Sequence, residues 1–220
     1  MLVGHGRRPT RCRASAPLIP GASAGRAKVS GVAADYHFVT RWRVPGTQRE
    51  VATVLGDPAE LPRWWPSVYL GVDVVAPGGR DGVGRVVDLY TKGWLPYTLR
   101  WRFTITRSAG VRGFALTAAG DFAGTGTWVF KQDGDYVIVL YDWRIRAEKP
   151  LLRRLTWLLR PAFGANHRWA MRQGEKSLRR ELELRRLGPE AGAALPPPPQ
   201  PTFTWLLPRP SPDAGVHANP

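Results

Sequence analysis

His167 is the side chain of this 220-residue sequence best suited to acid–base work. It stands four residues before Met171, and an imidazole there would serve as a general base or donate to a ligand carbonyl. No serine or cysteine nucleophile is evident as its partner, so the plainer assignment is a helix-start histidine bonded to backbone, with Asn166 as N-cap. Tyr90, Tyr97 and Tyr141 offer hydroxyls, and a buried tyrosine hydroxyl needs a partner in any case. Asp121 and Asp142 stand next to aromatic residues and by alternation point the other way, toward water and strand arginines. Cys12 is the one cysteine, which excludes an intramolecular disulfide. Together with the scatter of His5, His37, His167 and His217, it also excludes a Cys/His zinc cluster, and neither metal nor cofactor is expected. The glycine pairs at 82–84 and 124–126 do not precede helices. They make no phosphate loop; 124–126 reads as a strand entry or bulge.

A larger group of residues carries binding rather than reaction chemistry. With a period of two, Leu99, Trp101, Phe103 and Ile105 share one face, opposite Arg100 and Arg102. Phe114, Leu116, Ala118, Gly120 and Phe122 share another. Trp128 and Phe130 align with Gly126, and Val137, Val139, Tyr141, Trp143 and Ile145 form a further row. The candidate ligand-binding residues are Leu99, Trp101, Phe103, Phe114, Trp128, Phe130, Tyr141, Trp143, His167 and Met171. Two readings fit this set: a solid aromatic core, or an apolar pocket of roughly 300–1,000 Å³ with a few orienting polar groups.

These residues need a scaffold, and the spacing supplies one. Strands are expected at 36–44, 69–76, 82–91, 97–106, 113–122, 124–132 and 136–148, divided by turn signals such as Asp133-Gly134. The short separators imply antiparallel neighbours. After the first strand, Thr47 and Glu50 compose a capping box ahead of Val51, Val54 and Leu55. Asp57-Pro58 opens a second short helix, because Asp caps and proline suits the first helical position. The C-terminal element is helical, with Pro161 expected to kink or restart it and a second part from about 166 to 187. Met171, Gly174, Leu178, Leu182 and Arg185 mark its inward stripe, and Glu175–Arg179 and Glu181–Arg185 have the favourable order for ion pairs.

The net charge of +15 is unevenly spread. Residues 1–34 carry six basic and no acidic residues, and 149–187 carry eleven basic against three acidic. Residues 1–34 read as a disordered basic arm, 35–187 as the folded domain, and 188–220, with four consecutive prolines at 196–199, as a disordered Pro-rich tail. The basic balance permits acidic partners or weak anionic-membrane contact, with "LLRRLTWLLRPAF" at 151–163 as an amphipathic candidate. No nucleic-acid reader motif is present, and nucleic acid is not an expected partner. No run of about 18 apolar residues crosses a membrane, and the reduced cysteine fits a cytoplasmic setting.

The segment "VPGTQREVATVLGDPAELPRWWP" at 44–66 and the closing stretch "NHRWAMRQGEKSLRREL" at 166–182 resemble the START-like (SRPBCC) superfamily, in its bacterial polyketide cyclase/dehydrase-like subgroup. The resemblance covers about residues 35–187. It implies an α+β helix-grip fold: a curved seven-stranded antiparallel sheet around a long C-terminal helix, with two short helices after the first strand. It also tips the aromatic set toward a cavity between sheet and helix. That fold hosts binders, carriers and enzymes alike, so function must come from the site. The first expectation is a protein that binds a small hydrophobic ligand such as a lipid, polyketide or aromatic metabolite. One alternative is a cyclase/dehydratase acting by substrate orientation, with His167 or a tyrosine as candidate acid/base. Another is an interaction protein that uses its basic arm, closing helix and tail on membranes or acidic partners.

Overall fold

The structure, a computed structural model, describes residues 36–203 except 149 and 193, without the side chains of 147, 150–160, 189 and 191. The basic arm with Cys12, the tail beyond 203 and the side-chain pattern of the 151–160 stretch lie outside the described residues. The element order is β1 (Tyr36–Pro45), α1 (Gln48–Leu55), a 3-10 turn (Pro58–Glu60), α2 (Leu61–Trp64) and β2 (Tyr69–Ala76). There follow β3 (Val86–Lys92), β4 (Thr98–Ser108), a second 3-10 turn (Gly110–Arg112), β5 (Gly113–Gly120), β6 (Phe122–Asp133), β7 (Tyr136–Ala147) and α3 (Pro150–Gly192).

The seven strands form one antiparallel sheet in the order β1-β7-β6-β5-β4-β3-β2. Only one connection is not a simple hairpin: α1 and α2 carry the chain from one edge of the sheet to the other. This is the helix-grip architecture, a curved sheet closed by the long α3. Register shifts at Tyr69/Gly71, Val74/Ala76 and Ile105/Arg107 help the strands bend. Trp42, Val44, Val87, Phe103, Val137, Val139 and Trp143 bury themselves on the inner face, while Arg41, Arg100, Arg102 and Arg144 stay outside.

The short helices begin where their caps dictate. The Thr47 hydroxyl accepts the Glu50 N–H, and the Glu50 carboxylate accepts the Thr47 N–H at 2.6 Å. Asp57 accepts the Ala59 N–H at 3.2 Å. Val51 and Val54 are fully buried on the core side of α1. Leu178 and Leu182 of α3 are buried, and Gly174 lets the Trp65 ring pass where a Cβ would stand 2.3 Å from Cζ2. Both expected ion pairs on α3 form, at 2.6 Å each. Glu181 is almost wholly buried and also receives both terminal nitrogens of Arg63, at 2.9 and 2.6 Å, which fastens α2 to α3. Burial pushes the Glu181 carboxyl up, but the two guanidiniums more than offset this and hold it below the usual carboxylate range.

Four sequence expectations need correction. The helical backbone runs through Pro161 and leaves helical dihedrals only at Gly188, with φ 79°. The contacts of Phe163, Asn166 and His167 hold it to the sheet and its loops beyond the proline. The strand expected at 113–122 ends at Gly120, which with φ 125° turns the chain, and Phe122 already opens β6, the strand expected from 124. β3 starts at Val86 rather than at 82, because Gly82 and Gly84 both have φ 79° and belong to the preceding turn. Gly124 and Gly126 are neither a strand entry nor a bulge, for they keep register with β7. A Cβ at Gly124 would meet the Arg144 carbonyl at 2.0 Å, and one at Gly126 the Trp143 ring at 2.9 Å.

Candidate functional site

The inner face of the sheet and the helices border two chambers, each partly open to solvent. The larger, about 590 Å³, lies between α1 and the inner faces of β3–β6. Its apolar lining comes from Leu55, Leu61, Leu89, Phe103, Ile105, Phe114, Leu116 and Phe130. Arg49, Arg80, Asp81, Arg85 and Ser108 belong to the same lining. Arg85 is held there by the carbonyls of Pro77 (3.1 Å) and Gly56 (2.7 Å). The smaller chamber, about 160 Å³, lies under the first described part of α3 and includes Leu99, Phe122, Trp143, Phe163, Ala170 and Met171.

Tyr69, Trp101, Trp128 and Tyr141 line both chambers and form the wall between them. Trp128 stacks on Tyr141 at a centroid distance of 4.0 Å, and Tyr141 stacks on Trp143 at 5.5 Å. Trp101 meets Trp143 at 5.9 Å, and its indole N–H donates to the Thr91 hydroxyl at 3.0 Å. Offset and tilted rings of this kind make a wall stiffer than aliphatic side chains would. The nominated residues therefore divide. Phe103, Phe114 and Phe130 line the larger space. Leu99, Trp143, His167 and Met171 line the smaller. Trp101, Trp128 and Tyr141 belong to both.

His167 and Tyr97 belong to the smaller chamber, whereas the charged side chains of Arg49, Arg80, Asp81 and Arg85 belong to the larger. His167 stacks on Phe38 at 4.2 Å, and its Nε2 lies 3.4 Å from the Thr40 hydroxyl. It sits inside α3 rather than at a helix start, and Asn166 is no N-cap: its side-chain oxygen accepts the Leu95 N–H at 3.2 Å. Burial, and secondly Arg168, push the imidazole down to about 4, so His167 is neutral at pH 7. Burial, and then Tyr36, push the Tyr97 phenol up to about 12. Burial holds Tyr141 well above the usual phenol range. Tyr90 lies beneath the Arg100 guanidinium at 4.5 Å and lines neither chamber. Asp142 pairs with Arg144 and His37 at 3.0 Å on the outer face as expected, but Asp121 does not point away: it lines the smaller chamber and accepts the Arg100 backbone N–H at 2.8 Å.

Sequence reasoning passed over several lining residues. Ala52 of α1 and Trp65 after α2 reach the larger chamber, Tyr69 at the start of β2 reaches both, and Tyr36, Phe38 and Lys92 reach the smaller one. The alternation of β1 could have placed Phe38. Nothing local marks Lys92 as an inward residue, since it follows the equally buried Thr91 at the end of β3.

No protein-family model and no curated protein matches the chain. Solved structures do. A protein of Thermus thermophilus superposes with a TM-score of 0.52 at 20% identity, covering 69% of this chain and 97% of its own. The Zhui aromatase/cyclase of a Streptomyces species superposes with a TM-score of 0.54 at 16% identity, covering 68% and 94%. At these identities the likeness concerns the fold, and the described domain has the START-like, helix-grip fold.

Proposed function

We propose that this protein binds a small hydrophobic ligand in the larger chamber. The observation that carries the reading is a space of about 590 Å³, within the size range of small-molecule sites, walled mainly by Leu, Ile, Phe and Trp side chains with Arg49, Arg80, Asp81 and Arg85 in the rest of its lining. Burial of apolar ligand surface at roughly 25 cal/mol per Å² supplies the affinity. The aromatic wall sets the depth to which a ligand enters. Trp65, Trp101 and Trp128 line the space and would report a guest by their fluorescence.

The test is a titration of the full chain with naphthalene, read by tryptophan emission. Saturable one-to-one binding is expected, and Ile105→Trp, which fills the chamber from β4, should abolish it. Absence of saturable binding across an apolar series from benzene to palmitate would overturn the reading.

A second reading has the chain act on its guest as a cyclase or dehydratase. The neutral His167, which lines the smaller chamber beside the Thr40 hydroxyl, favours it for a guest that reaches past the aromatic wall, and the Streptomyces protein of the same fold is an aromatase/cyclase. A His167→Ala chain that turns over a model polyketone as fast as the parent would remove this histidine from any mechanism.

A further inference from the structure

Lys92 is the one residue lining the smaller chamber that carries a positive charge among the described residues, and it is 3% exposed. Among the described residues no carboxylate lies within ion-pair distance of it. Asp121, the carboxylate of the same chamber, is bound to the Arg100 N–H instead. The Lys92 ammonium donates to the backbone carbonyl of Thr202 and lies 5.6 Å from the Phe203 ring centroid. Burial pushes it below the usual lysine range, the expected response of a cation denied both water and a counter-charge.

Those two partners belong to a strap from the C-terminal tail. The Pro196 carbonyl accepts from Arg180 of α3, and the Thr202 hydroxyl lies 3.4 and 3.2 Å from the carbonyls of Gly93 and Trp94. Phe203 has φ 53°, a left-handed conformation uncommon outside glycine. The strap is therefore held by side chain-to-carbonyl bonds and one cation–ring contact, and it supplies Lys92 with a neutral oxygen where a charged one would bind better.

We propose that the smaller chamber is a binding site for a one-ring carboxylate, whose carboxyl group takes the place of the Thr202 carbonyl on Lys92. This rests on the reading of the protein as a binder of small apolar guests and adds a second, anion-selective site. The size argues for a single ring, because a dry cavity of about 150 Å³ holds benzene and this one measures about 160 Å³. Leu99, Phe122, Trp143 and Met171 receive the ring. His167 and Tyr97, both neutral at pH 7, add dipoles, and the carboxylate in the lining, Asp121, is engaged by the Arg100 N–H. Because ligand and strap compete for one ammonium, the strap tunes affinity downward.

The test is calorimetric titration of the full chain with benzoate and with its neutral isostere benzamide. Benzoate is expected to bind at least about tenfold more tightly, the ratio that one charge-assisted hydrogen bond supplies. Lys92→Met should erase that preference while leaving the fold intact, since it removes a buried charge. Saturation transfer from benzoate ring protons to the Met171 methyl in the unmodified chain gives a location that needs no variant. Phe203→Ala should tighten benzoate several-fold. Equal affinity for benzoate and benzamide, a preference that survives Lys92→Met, or no transfer to Met171 would overturn the site. An affinity unmoved by Phe203→Ala would overturn the competition. Naphthalene titrated into the same samples separates the two readings. Naphthalene binding without a benzoate preference sinks this site alone, and a Lys92-dependent benzoate site without naphthalene binding sinks the larger chamber's role.

Discussion

The larger chamber is framed by small residues and by the charged side chains of Arg49, Arg80, Asp81 and Arg85, the smaller one by side chains of α3 and the buried Lys92. Ala52, Gly56, Gly82, Gly110 and Gly113 ring the first, so the backbone approaches without filling the space. Phe163, Asn166, His167, Ala170 and Met171 descend from α3 into the second and leave about 160 Å³ against about 590 Å³. The same aromatic wall serves both. What differs is the opposing surface: one short amphipathic helix held by its cap on one side, a long and heavily anchored helix on the other. An aromatic-rich sheet therefore does not by itself decide between core and cavity. The element that closes over it does.

The largest expected effect comes from removing the wall. Trp128→Ala should cost about 3–5 kcal/mol in urea unfolding, because a buried indole stacked on Tyr141 is lost and the space beside it cannot collapse. If the variant folds, the two chambers become one, and naphthalene should bind with altered stoichiometry.

The second effect belongs to the smaller chamber alone. The His167 imidazole titrates near 4 in the folded chain and near 6.5 when unfolded, so the unfolded state takes up a proton first as pH falls. Its contribution is complete above pH 6.5 and is lost progressively down to about pH 4, by at most about 3 kcal/mol. His167→Phe should flatten that part of the stability–pH curve, and a curve unchanged by the substitution would contradict the burial of the ring.

Next comes Gly174→Ala, which acts on the larger chamber through Trp65. The new methyl would stand 2.3 Å from the ring, so either the indole or α3 must move, at about 1–3 kcal/mol. Naphthalene affinity should fall, while benzoate binding at Lys92 should hold.

The smallest effect is Glu50→Gln. The Arg186 hydrogen bond, working against partial burial and assisted by Thr47, lowers the Glu50 carboxyl to about 2. Its stabilisation is present above the ordinary carboxylate pKa near 4.5 and is lost as pH falls toward 2. The carboxylate side chain is 34% exposed, so solvent screening keeps the loss below about 1 kcal/mol at pH 7. Neither ligand titration should change, which separates the anchoring of α1 from the chamber it covers.

The topology was legible because strand alternation and capping are local. The Thr47–Glu50 box, the Asp57 cap, the inner row Val137–Val139–Tyr141–Trp143 and the stripe Gly174–Leu178–Leu182 of α3 stand where periodicity puts them, whereas Arg185, expected on that stripe, is exposed. The division of the interior into two chambers was not legible, because it depends on ring packing between Trp128, Tyr141 and Trp101 across different strands. Lys92 was hidden for a related reason. Its burial follows from the tail residues 202–203 lying over it, a contact spanning more than a hundred positions that no periodicity records. His167 stands out in the sequence as a residue of chemical interest, but its setting does not, because α3 runs on through Pro161 instead of restarting after it.

A crystal of the full chain exposed to bromobenzene tests the two-chamber interior most directly. Anomalous scattering should place bromine in the larger chamber, among Ile105, Leu116 and Phe130, on the α1 side of an intact Trp128–Tyr141 stack. Continuous side-chain density through that space, with no bromine peak, would mean a filled core and would contradict the binding role.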